Sequence, residues 1–245
     1  MTDRHSVATV RDWLLEPATD AGIHLADETD GWTYRSYPEL AELTLSVATL
    51  MREHGVPDGA GVCVIMPTGF PCVAAFYAVW ACGGVFTPVA PPMFGDIDQY
   101  VAHVAAVLTR ADPFAVVTSP ELDHLIRRAM TDAGRTDEPL VLRPDAITAA
   151  DPLTEFGTPA EIALLQFTSG STGTPRGVQV SSRRAMRYRS VASIVMRSPS
   201  NSTCTPVRMG SASLRSAATE TCATALVNRA PSTVPLASGE VGREG

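Results

Sequence analysis

The sequence predicts an α/β protein with a mostly parallel sheet and flanking helices, followed by a low-complexity tail. Three observations support this fold class. Short apolar runs alternate with amphipathic stretches at the spacing of βαβ units. The apolar runs are largely continuous, as in strands that are covered on both faces. The 245 residues, 45% of them hydrophobic, suffice for one large α/β domain.

The first predicted elements are a hairpin and a long helix. Apolar and aromatic stretches flank a polar turn at residues 29–31, which is typical of a β-hairpin. Ser36 and Glu39 then form a capping box, in which the two residues satisfy free backbone amides at the start of a helix. Apolar residues at helical spacing continue to about Glu53, and Gly55 ends the helix.

The middle of the chain carries the alternation of strands and helices. Continuous apolar runs predict strands at residues 61–66, 85–89, 114–118 and 139–143. The intervening stretches predict helices at 70–82, at 98–110, and from an N-cap at Ser119 followed by Pro120. A polar connector at 144–160 leads to one more strand at 162–167. Elements in this order build βαβ units and a mostly parallel sheet.

Composition excludes several classes of protein. No run approaches the roughly 18–20 apolar residues that cross a bilayer, and residues 1–17 lack the apolar core of a secretory signal. The five cysteines and five histidines show no metal-ligand spacing, so we expect no metal site built from protein residues. The chain is therefore predicted to be cytoplasmic and to have no membrane span.

The charge changes sign along the chain. Residues 1–161 hold 9 arginines and 23 acidic residues, whereas residues 162–245 hold 10 arginines and 3 acidic residues. Lysine is absent throughout. A change of this kind marks a boundary in function or in origin. The arginines are dispersed and the last aromatic residue is Tyr188, which disfavours an arginine-rich nucleic-acid arm, so we expect no nucleic-acid partner.

The stretch LQFTSGSTGTPRGV concentrates glycine and hydroxyl residues after the strand predicted at 162–167. Glycines allow positive φ and close backbone approach, hydroxyls donate hydrogen bonds, and the arginine adds a fixed positive charge. This combination suits a polyphosphate. The candidate binding residues are Thr168, Ser169, Gly170, Ser171, Thr172, Gly173, Thr174, Pro175, Arg176 and Gly177.

A flexible linker is the alternative interpretation of this stretch. Composition alone favours a Ser/Gly linker. The Walker loop and the G-x-G-x-x-G dinucleotide motif are both absent. The strand-like runs on both sides, only about ten residues apart, favour a tight loop over a linker.

The same stretch resembles the phosphate-loop motif of the adenylate-forming superfamily, which includes acyl-CoA synthetases, fatty acyl-AMP ligases and peptide-synthetase adenylation domains. Lysine is usual in that family where this chain has Arg176. Residues 66–92 and 100–119 are also similar to the family and favour fatty acyl-AMP ligases, with other acyl-activating ligases as the alternative. The resemblance implies that residues 10–185 form a partial AMP-binding domain, the N-terminal part of the family's large domain.

The activity that the resemblance implies is ATP-dependent activation of a fatty acid in lipid metabolism. A carboxylate would attack the α-phosphate of ATP, pyrophosphate would leave, and the acyl-adenylate would pass to a thiol of an acyl carrier protein or CoA. ATP and Mg²⁺ are the implied cofactors, although the family's magnesium ligand is not found in this chain. The loop would hold the departing phosphates.

The family motifs that follow the phosphate loop are missing from residues 186–245, including the catalytic lysine, so no catalytic residue is assigned. Leu, Ile, Val and Phe make up only 7 of the 48 residues from 198 to 245. This composition predicts a degenerate, disordered tail that a protease cuts first. A frame change in the coding sequence after about Arg187 is one explanation of the tail, and a designed tail is the other.

Two functions remain open from the sequence. In the first, the chain is an acid–AMP ligase by descent that is inactive alone, because it lacks the later motifs. In the second, it is a non-catalytic remnant that at most binds nucleotide weakly or pairs with another polypeptide. A fragment of another acyl-CoA synthetase or of a peptide-synthetase adenylation domain is a further alternative to a fatty-acid ligase.

Overall fold

In the part of the chain that the structure describes, six strands form one sheet and two further strands form a separate hairpin. The computed structural model describes residues 9–26, 31–92, 95–168 and 176–182. The helices are α1 (Val10–Leu15), α2 (Tyr37–Glu53), α3 (Phe70–Ala81), α4 (Ile97–Ala111), α5 (Asp123–Asp132) and α6 (Pro144–Ala149). The strands are β1 (Gly22–Ala26), β2 (Trp32–Ser36), β3 (Gly61–Ile65), β4 (Val85–Val89), β5 (Ala115–Thr118), β6 (Leu140–Val141), β7 (Ile162–Thr168) and β8 (Arg176–Ser181).

The main sheet has the order β6-β5-β3-β4-β7-β8. All neighbouring strands in it run parallel except β7 and β8, which pair antiparallel. The predicted fold class, a mostly parallel sheet with flanking helices, is confirmed. The hairpin predicted around residues 29–31 is also confirmed, because β1 and β2 pair antiparallel from Gly22 opposite Ser36 to Ala26 opposite Trp32.

Two apolar clusters cover the two faces of the main sheet. Val62 and Val64 belong to the first cluster, together with residues of α2 and α3. Cys63 and Ile65, which alternate with them along β3, belong to the second cluster, together with residues of α4 and α5. Side chains alternate between the faces of a strand, so a strand with both faces covered is apolar throughout. This explains the continuous apolar runs in the sequence.

The helices begin where local chemistry supports them. Ser36 is the N-cap of α2, and its hydroxyl accepts a hydrogen bond from the Glu39 amide while the Glu39 carboxylate accepts one from the Ser36 amide at 2.7 Å. The predicted capping box is therefore confirmed. Helix α3 is apolar on nearly every side and buries seven of its side chains, as its composition predicts.

Three details differ from the sequence prediction. Helix α5 begins at Asp123, because the Leu122 amide donates to the Ser119 carbonyl in a turn and the Ser119 side chain is buried without capping a helix. Helix α1 was not predicted, although Thr9 and Asp12 form a capping box. Helix α6 occupies the start of the predicted connector, with a proline in its first turn.

The rest of the connector crosses the amino edge of the sheet and is fastened by backbone hydrogen bonds. Gly157 donates to the Ala81 carbonyl at 2.8 Å, and Ala160 donates to the Gly83 carbonyl at 3.1 Å. These bonds position the connector just before the start of β7. No helix in the described ranges is long and apolar enough to cross a membrane. The predicted tail, residues 186–245, lies outside the described residues.

Candidate functional site

The predicted phosphate loop connects β7 to β8. Thr168, the last residue of β7, lies opposite Arg176, the first residue of β8, and Phe167 lies opposite Gly177. The structure thus places three predicted site residues at the mouth of the loop and brings the ends of the loop together. The other seven, residues 169–175, lie outside the described residues.

The mouth of this loop lies at the carboxyl edge of the parallel strands. Strand β7 runs parallel to β4, so the chain leaves β7 at the same edge at which it leaves β3 and β4. From β3 the chain enters α3 on one face, and from β4 it enters α4 on the other face. Such a point, where successive connections diverge, opens a crevice in which α/β proteins bind ligands. The loop therefore lies one strand away from that crevice.

Gly177 serves a packing role at the mouth. It lies in extended strand and is not among the glycines with positive φ, so the conformational reason suggested by the sequence does not apply to it. A methyl group at this position would lie 3.1 Å from Leu165 Cδ1 and 3.3 Å from Phe167 Cε1. The small residue lets the Phe167 side chain lie across β8, next to the mouth of the loop.

Gln166 is a buried polar residue near the mouth that the sequence prediction passed over. It lies two residues before Thr168 and is 8% exposed. Its side-chain oxygen has no hydrogen-bond partner among the described residues. A buried amide oxygen that lacks a partner is costly, by about 1–3 kcal/mol. It is the single polar residue of the otherwise apolar run at 162–167, and this was the sign in the sequence that could have drawn attention to it.

The buried cysteines are poor candidates for covalent chemistry. Burial raises the pKa of the Cys63 thiol to about 12 and the pKa of the Cys82 thiol to about 11. A thiol with such a pKa is almost fully protonated at neutral pH, and the thiolate is the nucleophilic form. These two residues therefore act as small apolar side chains in the core.

An open cleft of about 830 Å³ lies at the opposite edge of the sheet. Its lining includes Gly61, which begins β3, and Phe114, which precedes β5. The Arg135 guanidinium inside it donates to the Asp137 carboxylate at 2.7 Å and lies 3.9 Å from the Asp112 carboxylate. The cleft is remote from the loop mouth and its main cation is engaged, so we place the functional site at the carboxyl edge.

Comparison with known sequences identifies relatives of this chain. A sequence profile described as AMP-binding enzyme matches residues 16–212. Pyochelin synthetase PchE of Pseudomonas aeruginosa is 33% identical over 180 residues, which are 72% of this chain and 11% of the synthetase. The long-chain-fatty-acid–AMP ligase FadD26 of Mycobacterium marinum is 30% identical over 138 residues, which are 55% of this chain and 23% of the ligase. The chain thus spans less than a quarter of each of these relatives.

Comparison with solved structures gives the same fold. A structure from a study of fatty acyl-adenylate ligases of E. coli and L. pneumophila superposes with a TM-score of 0.62 at 29% identity, over 73% of this chain and 33% of that one. The McyG A-PCP structure, which holds phenylalanyl-adenylate, has a TM-score of 0.60 at 21% identity and covers 71% of this chain and 28% of that one. The second likeness concerns the fold alone.

Proposed function

The chain belongs to the AMP-binding enzyme family, whose members form adenylates, and on this basis we propose that it supplies the phosphate-binding part of an acid-activating ligase. The observation that carries the proposal is the loop mouth. Antiparallel pairing of Thr168 with Arg176 closes a seven-residue segment rich in glycine and hydroxyl groups at the carboxyl edge of the sheet. An open linker would not need its ends to be paired.

The contribution of the loop would be electrostatic. In adenylate formation a carboxylate oxygen bonds to the α-phosphorus of ATP, the bond to the β-phosphate oxygen breaks, and pyrophosphate leaves with the electron pair. Backbone amides, hydroxyls and the Arg176 guanidinium would hold the departing phosphates in line with the attack. Hydrogen bonds to charged groups contribute about 1.5–3 kcal/mol each, so a few of them suffice to hold a polyphosphate.

The part of the chain that the structure describes contains no cluster of side chains that would hold a metal ion by itself. No group of three or more His, Cys, Asp or Glu side chains that could hold a metal ion occurs there. We therefore derive no step through a metal ion. The family uses ATP, generally with Mg²⁺, and magnesium bound with ATP would neutralise phosphate charge.

A fatty acid is the substrate that we propose. The FadD26 ligase and the structure from the fatty acyl-adenylate ligase study support this choice. An acyl carrier protein or CoA would then be the thiol acceptor. The alternative substrate is the acid of a peptide synthetase, because the PchE match covers more of this chain than the FadD26 match does. A cytoplasmic location goes with either substrate.

We further propose that the 245-residue chain alone has no ligase activity. The chain contains no lysine, and the catalytic residue that the family resemblance implies is a lysine. The loop holds the leaving phosphates, which supports binding. Catalysis also requires groups that act more strongly on the transition state than on bound ATP. Loss of one such donor typically lowers the rate by about 10²–10³.

Nucleotide binding by the purified chain tests the phosphate-binding role. We expect ATP to bind weakly, with a Kd in the range of about 1 mM, and more tightly than AMP, because the loop contacts the outer phosphates. Arg176→Ala should weaken ATP binding by about tenfold or more. Arg110→Ala, at the carboxyl end of α4 and hence at the other edge of the sheet, is the matched control and should bind as the unmodified chain does. Equal affinity for AMP and ATP would reject the phosphate-binding role.

Exchange of labelled pyrophosphate into ATP tests the catalytic part of the proposal. We expect no exchange above background with the purified chain and a long-chain fatty acid. Exchange that depends on the fatty acid and that disappears in the Thr172→Ala, Arg176→Ala double variant would show an active ligase and contradict the proposal.

A further inference from the structure

A β-bulge interrupts β7 close to its start. Ile162 lies opposite Ser181 and Leu164 lies opposite Val180, so Ala163 is an extra residue with no opposite residue on β8. The extra residue of a bulge is left out of the regular ladder of backbone hydrogen bonds. Ala163 is only 2% exposed, so its carbonyl oxygen needs a hydrogen-bond donor within the protein.

Trp80 on α3 supplies that donor. The indole Nε1 donates to the Ala163 carbonyl oxygen at 2.8 Å. The Trp80 ring lies 4.3 Å, centroid to centroid, from the Phe76 ring, which in turn lies 4.5 Å from the Phe86 ring on β4. Phe86 is the residue of β4 that lies opposite Leu164, the residue after the bulge. One aromatic cluster therefore holds both the donor and the neighbouring strand in place.

The bulge determines which side chains of β7 face which side of the sheet. Phe167 packs against the cluster that contains α4, whereas Leu164 lies opposite Phe86, which packs against the cluster that contains α3. A shift of one residue in a strand moves every side chain to the other face. If the two strands paired regularly from Ile162 opposite Ser181, Ala163 would lie opposite Val180, and Phe167 instead of Thr168 would lie opposite Arg176.

We propose that Trp80 is a positioning residue that fixes the register of β7 and thereby the mouth of the phosphate loop. The bulge and its hydrogen bond support the role of Trp80 in the register of β7. Only the identity of the ligand that the loop binds rests on the proposed function. Trp80 acts through the backbone of Ala163, which lies five residues before Thr168, the last residue of β7.

Amide hydrogen exchange of the full chain tests this role. Trp80→Phe keeps an aromatic ring in the cluster but removes the N–H donor. We expect exchange at residues 164–168 and 176–181 to become about tenfold faster or more, with β3 and β5 unchanged, because a buried carbonyl loses its donor. Trp13→Phe is the matched control, since Trp13 contacts Tyr77 in the same aromatic cluster but lies on α1. This control should leave exchange in β7 and β8 unchanged.

Together with ATP binding, this experiment distinguishes a failure of the role of Trp80 from a failure of the proposed function. Unchanged exchange in β7 and β8 of Trp80→Phe would overturn the role of Trp80, whatever the result of ATP binding. Faster exchange there, in a chain that binds no ATP even without substitution, would keep the role of Trp80 and reject the proposed function. If Trp80→Phe does not fold, benzothienylalanine at position 80 in a Trp13→Phe, Trp32→Phe background keeps the shape of the indole and removes only the N–H. It should give the same faster exchange, and unchanged exchange would overturn the proposal.

Discussion

At the scale of single residues, Asp58 fastens the connector that leads to β7. Its carboxylate accepts a hydrogen bond from the Thr158 backbone amide at 2.7 Å and another from the Arg52 guanidinium at 2.5 Å. These contacts lower the pKa of Asp58, with the Thr158 amide as the larger cause and Arg52 as the smaller one. The ionised form is therefore the one that stabilises the fold.

This pKa shift gives a pH dependence of stability. A carboxyl whose pKa is lowered in the folded state adds stability above its ordinary pKa of 3.8, and that stability is lost as the pH falls below this value. We expect Asp58→Asn to be less stable than the unmodified chain at pH 7, with the difference shrinking as the pH falls from 4 to 2. Urea unfolding across this pH range measures it. The exposed Asp151→Asn, on the same connector, should show a smaller difference at every pH.

Gly83 contacts the same connector through its backbone. Its φ is +71°, and a methyl group there would lie 2.3 Å from the Thr158 carbonyl oxygen. We expect Gly83→Ala to lower the free energy of unfolding by about 2–4 kcal/mol, because it adds a clash to a left-handed conformation. Gly59 has a φ of +75° with nothing within 4 Å of such a methyl group, so Gly59→Ala should cost only about 1–2 kcal/mol. Equal losses in chemical unfolding would contradict the role of the contact.

At the scale of elements, local sequence chemistry predicted the starts of some helices and missed others. The capping box of α2 was visible because an amphipathic stretch of 17 residues follows it. The box formed by Thr9 and Asp12 precedes only six helical residues, too few for a periodic pattern to be recognised. Ser119 and Pro120 suggested a helix start, but tertiary packing buries Ser119, and α5 begins four residues later, at Asp123.

The capping box of α2 makes a prediction about stability. The Ser36 backbone amide is the larger cause that lowers the pKa of Glu39, so the two residues depend on each other. We expect Ser36→Ala to lower the free energy of unfolding by about 1 kcal/mol, because the Glu39 amide loses the hydroxyl oxygen that accepts its hydrogen bond. Ser36→Thr keeps the hydroxyl and should lower the free energy of unfolding by only a few tenths of that amount. A thermal unfolding comparison of the two variants distinguishes the loss of the cap from a packing effect.

At the scale of the whole molecule, one sheet joins two apolar cores. Val64 faces the core that contains α3, and Val116, on the neighbouring strand, faces the core that contains α4. Since both residues belong to one sheet, neither core can open without disturbing the other. We expect Val64→Ala and Val116→Ala each to lower the free energy of unfolding by about 2 kcal/mol.

The shape of the unfolding curve tests whether the two cores unfold together. Each variant should shift a single cooperative transition that near-UV and far-UV circular dichroism report identically. A second transition, moved by Val64→Ala but unaffected by Val116→Ala, would show that the two faces of the sheet unfold as separate units.

The sequence predicted the strands that flank the candidate site better than the contacts that hold those strands in place. The strands on both sides of the loop are confirmed, because their apolar runs and the polar stretch between them are local features. The burial of Gln166 and the hydrogen bond from Trp80 to Ala163 were not predicted. The latter joins residues 83 positions apart, and no local pattern specifies such a pair. The phosphate-binding residues stay a prediction, with seven of the ten outside the described structure.

The place of β7 in the sheet has a consequence for the order of folding. Strands β3, β4 and β5 are joined by short crossovers and can pair soon after they are made. Strand β7 joins β4 by pairing Leu164 with Phe86, which closes a loop of 78 residues. Closing such a long loop has a larger entropic cost, and non-local pairings form slowly. The loop mouth is therefore expected to assemble after β3, β4 and β5 have paired, on a sheet in which the edge of β4 is still open to other chains.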